Sequence, residues 1–122
     1  MASDTNSNIV NWQRELRVFA QERDWEQFHT PKNLAMALTA EAGELLEHFQ
    51  WLSGEQSNAL NSEQRRVVGH EMADVFLYLL RMADVLGVDL AQATNDKLAI
   101  NRTKYPADMV RGSAKKSTEY DK

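Results

Sequence analysis

The 122-residue sequence contains no cysteine and little glycine or proline. The lack of cysteine excludes disulfides, thiolate zinc sites, iron–sulfur clusters and cysteine nucleophiles. There are only five glycines and two prolines, and apolar and polar residues do not alternate over more than a few positions. The sequence therefore predicts an all-α protein. A chain of this length supports one hydrophobic core, which excludes a two-domain enzyme.

Basic residues and long apolar runs are also scarce. Fourteen Lys and Arg face 18 Asp and Glu, a formal charge of −4. Because proteins that hold nucleic acid by its phosphates need clustered basic residues, we expect no nucleic acid polymer as a partner. The longest apolar stretch, 67–86, is interrupted by five polar or charged residues, so no membrane span is predicted. The first eight residues lack the pattern of a signal peptide, and we expect a cytoplasmic protein.

Apolar spacing and capping residues predict a four-helix bundle-like protomer. The helices should cover about 8–23, 31–52, 62–86 and 89–104. Thr30 and Pro31 favour a helix start, and Asn61 or Ser62 can cap the third helix. Asp89 with Gln92 resembles a capping box, and Pro106 requires the fourth helix to end.

Two segments are predicted to lie outside the helices. Residues 53–61 are polar and begin with Ser53-Gly54, which favours a loop. The tail from 109 to 122 is polar and mixed in charge, and we expect it to be disordered. Residues 1–108 are then expected to form a single helical domain.

Apolar stripes mark the core-facing sides of the first two helices. The first stripe includes Trp12, which we expect in the core, and the second runs from Leu34 to Leu52. Gly43 lies inside the second helix, where glycine is unfavourable by roughly 1 kcal/mol, so a group is expected to approach the backbone there.

Two acidic pairs at i, i+3 are placed on these apolar faces. Glu41 lies only about 20° around the second helix from Leu34, and Glu44 follows one turn later. On the third helix, Glu71 and Asp74 point into the packed face. Unpaired buried carboxylates cost several kcal/mol or take up protons, whereas a divalent cation keeps them ionised. Oxygen ligands favour Mg²⁺, with Mn²⁺ also possible, and pairing with Lys or Arg is the alternative.

Other metal and nucleotide motifs are incomplete. His70-Glu71-Met-Ala-Asp74 has Asp where the zinc motif HExxH has its second His. The sequence contains no Walker loop and no GxSxG elbow. His48 and His70 are expected to lie on solvated faces.

The four acids resemble the metal motif of the MazG-like all-α nucleoside triphosphate pyrophosphatases, in particular the dCTP pyrophosphatase branch. Four segments carry the resemblance: Glu22-Arg-Asp-Trp-Glu-Gln-Phe-His29, Gly43-Glu-Leu-Leu-Glu-His-Phe-Gln-Trp51, Glu71-Met-Ala-Asp-Val-Phe-Leu-Tyr78 and Ile100-Asn-Arg-Thr-Lys-Tyr-Pro106. The resemblance implies Mg²⁺-dependent cleavage of a deoxynucleoside triphosphate, dCTP or a modified dCTP, to monophosphate and pyrophosphate. It also implies nucleotide-pool housekeeping and a homotetramer built as a dimer of dimers.

The resemblance assigns roles to individual residues. Glu41, Glu44, Glu71 and Asp74 match the metal-binding, catalytic acids. Trp25 and Trp51 match aromatic residues around the base, with His29 nearby, and Tyr78, Lys97, Asn101 and Tyr105 match residues that contact sugar or phosphates. Arg102 is a further residue for the departing pyrophosphate.

Two alternatives stay open. Leu16 stands where mammalian members of the family carry a His near the base, so dATP or dUTP is an alternative substrate. A different class of function is a helical interaction module, whose acids pair with basic residues of a partner.

Overall fold

The computed structural model describes residues 2–119, with side chains from residue 7 onward, and all regular structure in that range is helical. The all-α prediction is therefore confirmed. The α-helices are α1 (Ala2–Glu22), α2 (Pro31–Glu47), α3 (Gly54–Ser57), α4 (Ser62–Leu86), α5 (Leu90–Lys104) and α6 (Ala107–Val110), with 3₁₀ turns at Glu26–Phe28 and Ser117–Glu119. Among the described residues, no helix is both long and apolar enough to cross a membrane.

The chain divides into two compact units, Met1–Val88 and Asp89–Lys122. In the first unit, α2 and α4 run antiparallel, since His48 near the end of α2 approaches Glu71 and His29 before α2 bonds to Arg81. Helix α1 runs parallel to α4: Gln13 donates from Nε2 to the Leu80 carbonyl at 3.0 Å, and Arg17 pairs with Asp84 one turn later. The second unit contains α5 and α6.

The predicted helix starts at residues 31 and 62 are confirmed, and their caps explain them. Thr30 Oγ1 accepts a hydrogen bond from the Asn33 amide at 3.2 Å, and Pro31 is the first helical residue. Asn61 and Gln64 form a reciprocal capping box at the start of α4, and Gly87 ends that helix in the left-handed conformation, with φ 69°.

Helix α2 and the segment after it differ from the prediction. Helix α2 ends at Glu47 instead of residue 52, because the chain tightens there: the His48 amide bonds to the Leu45 carbonyl and the Phe49 amide to the Leu46 carbonyl. The predicted loop 53–61 contains α3, which a capping box between Ser53 and Gln56 initiates. The loop prediction was wrong at these positions because that capping box was overlooked.

The ends of the chain also differ from the predictions. Helix α1 begins at Ala2, six residues before the predicted start, because its polar first turns carry no apolar repeat that could mark them. In its described part, the tail 109–122, predicted to be disordered, contains the last two residues of α6 and the 3₁₀ turn Ser117–Glu119, and residues 120–122 lie outside the described residues. Asp89 caps α5, but the Gln92 side chain donates to Asp96 instead of completing a box.

The core of the first unit is small. Leu34 and Leu80 are its largest fully buried side chains. Trp12, expected in the core, is instead 41% exposed, with its ring edge against Phe76 of α4. A Cβ at Gly43 would meet no atom of the described residues within 4 Å, so the expected close approach is not made within the chain and stays a prediction.

Candidate active site

Helices α2 and α4 bring three of the four predicted acids together. One carboxylate oxygen from each of Glu41, Glu44 and Glu71 lies within 4.8 Å of the others. Glu41 and Glu44 are one turn apart on α2, and Glu71 approaches them from α4, which packs against α2. This acidic cluster (Glu41, Glu44 and Glu71) has the size and the donor type of a hard-cation site.

Two oxygens of the acidic cluster have no partner. Oε2 of Glu41 and Oε2 of Glu71 are buried and accept no hydrogen bond. Leaving a buried acceptor unsatisfied costs about 1–3 kcal/mol, and more for a charged group. A divalent cation ligated by these oxygens would satisfy both, so the residues present fit Mg²⁺ or Mn²⁺.

The acidic cluster also disfavours full ionisation without a cation. Burial raises the pKa of Glu41 to about 6, assisted by the neighbouring Glu44 carboxyl and by the charges of Asp74 and Glu71. The Glu41 carboxyl is therefore partly protonated in mildly acidic solution, whereas a bound cation would keep it ionised.

Basic side chains do not neutralise the acidic cluster. Within residues 7–88, no Lys or Arg forms an ion pair with Glu41, Glu44, Glu71 or Asp74. The nearest imidazole is that of His48, whose Nε2 lies 3.7 Å from Oε1 of Glu71. The alternative explanation, in which Lys or Arg side chains form structural ion pairs with the four acids, is therefore not observed within residues 7–88.

Asp74 is placed differently from the other three acids. It lies one turn after Glu71 on α4 and is exposed, and it lies outside the three-residue group while still raising the pKa of Glu41. The expectation that Asp74 points into a packed face was wrong for this unit. Its role as a metal ligand stays a prediction.

The aromatic residues predicted to contact the nucleotide lie in the first unit and are accessible. Trp25 packs edge-on against Phe19, with ring centroids 5.7 Å apart, and stays 44% exposed. Trp51, in the turn after α2, is 86% exposed. Tyr78 is half-buried on α4, one turn beyond Asp74.

The remaining predicted substrate residues belong to the second unit. Lys97, Asn101 and Arg102 are exposed on α5, with Lys97 and Asn101 one turn apart as expected. The Tyr105 hydroxyl accepts a hydrogen bond from the Ser117 amide at 3.2 Å, so Tyr105 also holds the segment after α6.

Sequence reasoning missed two sets of residues around the predicted site. His48 is exposed, as expected, but its Nε2 also lies 3.7 Å from Oε1 of Glu71, and its spacing of seven residues from Glu41 could have revealed that it lies on the side of the cluster. Arg81 lies seven residues after Asp74 on α4, is 7% exposed, and donates from Nε to Nδ1 of His29 at 3.0 Å. No spacing rule links His29 to Arg81, because the contact depends on how α2 and α4 pair.

The fold and the site together define an all-helical protein with a carboxylate-centred site suited to a hard cation. A family model, the MazG-like family, matches residues 36–120. The chain belongs to the MazG-like family.

Named relatives and a solved structure agree with this membership. The chain is 47% identical to the dCTP pyrophosphatase 1 of Homo sapiens over 103 residues, covering 83% of this chain and 61% of the relative. The Mus musculus dCTP pyrophosphatase 1 is also 47% identical over 103 residues. The chain thus spans about 61% of the length of these curated relatives. A crystal structure of a pyrophosphatase from Archaeoglobus fulgidus is 37% identical, with a TM-score of 0.72, covering 82% of this chain and 91% of that one.

Proposed function

We propose that the chain is a Mg²⁺-dependent nucleoside triphosphate pyrophosphohydrolase that converts dCTP or a modified dCTP to the monophosphate and pyrophosphate. The observation that carries this proposal is the acidic cluster with its two buried, unpartnered oxygens. The mammalian relatives named dCTP pyrophosphatase 1 support the choice of base. The role is housekeeping of the nucleotide pool, and the proposed compartment is the cytoplasm, where free nucleotides are the substrate.

The residues divide the work of such a reaction between them. Glu41, Glu44 and Glu71 would hold the cation, with Asp74 one turn away. When bound, Mg²⁺ supplies a positive charge that attracts the triphosphate and polarises the α-phosphate. A carboxylate outside the metal's coordination accepts a proton from the attacking water. The new bond joins the water oxygen to the α-phosphorus, and the bond to the bridging oxygen of the β-phosphate breaks to release pyrophosphate.

The exposed aromatic rings and the α5 side chains bind the rest of the nucleotide in this proposal. Trp25 and Trp51 offer open ring faces, and base–aromatic stacking contributes about 1–3 kcal/mol per base. Lys97, Asn101 and Arg102 supply one amide and two cations for phosphates, and Tyr78 and Tyr105 supply hydroxyls.

The test compares two variants, one of a proposed metal ligand and one of an exposed acid that serves as the control. Glu71→Gln removes the charge of a half-buried cluster residue, whereas Glu47→Gln removes that of an exposed acid at the end of α2. We expect E71Q to lose hydrolysis of dCTP and the thermal stabilisation by Mg²⁺ with a non-hydrolysable analogue, while keeping its helicity by circular dichroism. E47Q should behave like the wild type. Full activity of E71Q would show that the site is wrong.

The same stabilisation assay separates an enzyme from an interaction module. A helical interaction module gains no stability from Mg²⁺ and nucleotide, whereas a nucleotide site predicts a clear rise in Tm.

A further inference from the structure

A second polar network lies at the opposite end of the α2–α4 pair from His48. Arg81 is nearly enclosed, and its guanidinium donates from Nε to His29 Nδ1 at 3.0 Å and from NH1 to Asp84 Oδ2 at 3.2 Å. Asp84 also receives two bonds from Arg17 on α1, at 2.7 and 3.1 Å. Three segments of the first unit therefore fix the position of one guanidinium and, through it, one imidazole.

The direction of the Arg81–His29 hydrogen bond determines where the imidazole carries its proton. A guanidinium has only donors, so Nδ1 of His29 must offer its lone pair. A neutral ring with an acceptor at Nδ1 carries its proton on Nε2. Burial lowers the pKa of His29, and the charge of Arg81 lowers it further against an opposing effect of Glu26, so both effects favour the neutral ring.

The environment of His29 is suited to contact with a ligand. His29 is partly exposed, and within residues 7–88 its Nε2 has no protein acceptor. Arg81 continues the face of α4 that bears Glu71, Asp74 and Tyr78, and lies roughly 10 Å along the helix from Asp74. His29 is also four residues from the exposed Trp25, and the Phe28 carbonyl between them is fixed by a bond from Asn33.

We propose that Arg81 is a positioning residue that fixes His29 as a neutral hydrogen-bond donor through Nε2, directed at an acceptor atom of the bound nucleotide. The role toward the nucleotide rests on the proposed function, whereas the tautomer assignment does not. The Arg17–Asp84–Arg81 chain, in which Arg81 is the buried member, serves to hold the imidazole, and His29 touches the ligand.

The first test measures the tautomer in the free protein. Long-range ¹⁵N–¹H correlation spectra of ¹⁵N-histidine-labelled wild type at pH 7.5 should show His29 with a protonated Nε2 and a hydrogen-bonded, unprotonated Nδ1. R81L should lose that fixed state, R81K, which keeps a donor of similar reach, should retain it, and R66L should leave it unchanged. Arg66 is the matched control because it pairs only with exposed Glu63 on the same helix. A protonated Nδ1 in the wild type would overturn the assignment.

The second test asks whether Arg81 acts through His29. H29A and R81L should each raise the KM for dCTP about tenfold, with a smaller effect on kcat. The double variant should show no further rise beyond H29A, whereas R66L should keep the wild-type KM. An approximately hundredfold rise in the double variant would mean independent roles and would overturn the proposal.

Failure of the proposed function is distinguishable from failure of this inference. If the wild type does not hydrolyse dCTP, both the proposed function and the nucleotide role of His29 fall, while the spectra still decide the tautomer. If the wild type is active but R81L has an unchanged KM, only the positioning role falls.

Discussion

At the scale of single residues, the unpartnered Oε2 atoms of Glu41 and Glu71 place the strongest constraint on function. Nothing in residues 7–88 satisfies these two oxygens, although most buried polar atoms in proteins have partners. Their burial against Glu44 gives a site that is unfavourable when empty and favourable when a cation is bound. The two unpartnered oxygens therefore lower the stability of the cation-free protein and favour the binding of a cation.

The raised pKa of Glu41 predicts a pH dependence of stability in metal-free protein. The folded-state pKa is about 6 against an ordinary value of 4.5, so the folded state binds more protons between these values. This group's stabilisation is full below pH 4.5 and is lost as the pH rises through 6. The free energy of unfolding of wild type relative to E41Q, measured by urea in the presence of EDTA, should fall over that range.

Saturating Mg²⁺ should abolish the fall, because the bound cation favours the ionised carboxylate. The exposed-acid variant E47Q serves as the control and should follow the wild type. Parallel pH profiles for wild type and E41Q in EDTA would contradict the raised pKa.

Trp51 gives a second residue-scale prediction. Because its ring is 86% exposed, W51A should change the free energy of unfolding by no more than about 0.5 kcal/mol. The KM for dCTP should nevertheless rise by roughly 5- to 150-fold, the equivalent of one stacked base. W51F, which keeps an aromatic face, should recover most of the affinity. An unchanged KM in W51A would exclude Trp51 from the site.

Residue-scale prediction from sequence depended on helical periodicity. That periodicity predicted that Glu41 lies beside Glu44 and Glu71 beside Asp74, because the members of each pair are one turn apart on one helix. It did not predict that Asp74 would be exposed, or that Arg81 would reach His29, because both depend on how two helices pack. The spacing of residues in the sequence predicts which side chains share a face of one helix, but it does not predict how two helices pack.

At the scale of elements, local capping chemistry defines the helix boundaries near the site. Asn61 and Gln64 start α4, and Gly87 ends it, so the residues of α4 that face α2 keep a fixed register. The same chemistry starts α3 at Ser53, where the sequence was interpreted as a loop. Helix boundaries that are marked by both a capping residue and an apolar repeat were predictable from the sequence. The end of α2 was not predictable, because 3₁₀-type hydrogen bonds end this helix although its apolar repeat continues in the sequence.

The cap of α4 gives an element-scale prediction. N61A removes the acceptor for the Gln64 amide and should lower the free energy of unfolding by about 1 kcal/mol in a urea titration. N61D keeps an acceptor and should stay within a few tenths of the wild-type value. If N61D were as unstable as N61A, the cap would not be the cause.

At the scale of the whole molecule, the first unit leaves large apolar side chains uncovered. Val10, Trp12 and Val18 on α1 and Met72, Phe76 and Leu79 on α4 are all exposed. This unit therefore does not enclose the apolar side chains of α4. Large exposed apolar surfaces mark interaction sites, so we propose that copies of the chain cover one another in a homotetramer, a dimer of dimers.

This assembly predicts a mass of four chains by sedimentation velocity at micromolar concentration. Phe76→Glu places a charge on the exposed apolar face and should lower the mass, whereas the surface variant R66L should not. A mass of one chain for the wild type would contradict the assembly.

The identity of the products shows which phosphate bond of the nucleotide is cleaved. Wild-type protein, dCTP and Mg²⁺ should yield dCMP and pyrophosphate in equal amounts by ion-exchange chromatography, and EDTA should stop the reaction. Production of dCDP and inorganic phosphate, or no turnover of dCTP, would contradict the account.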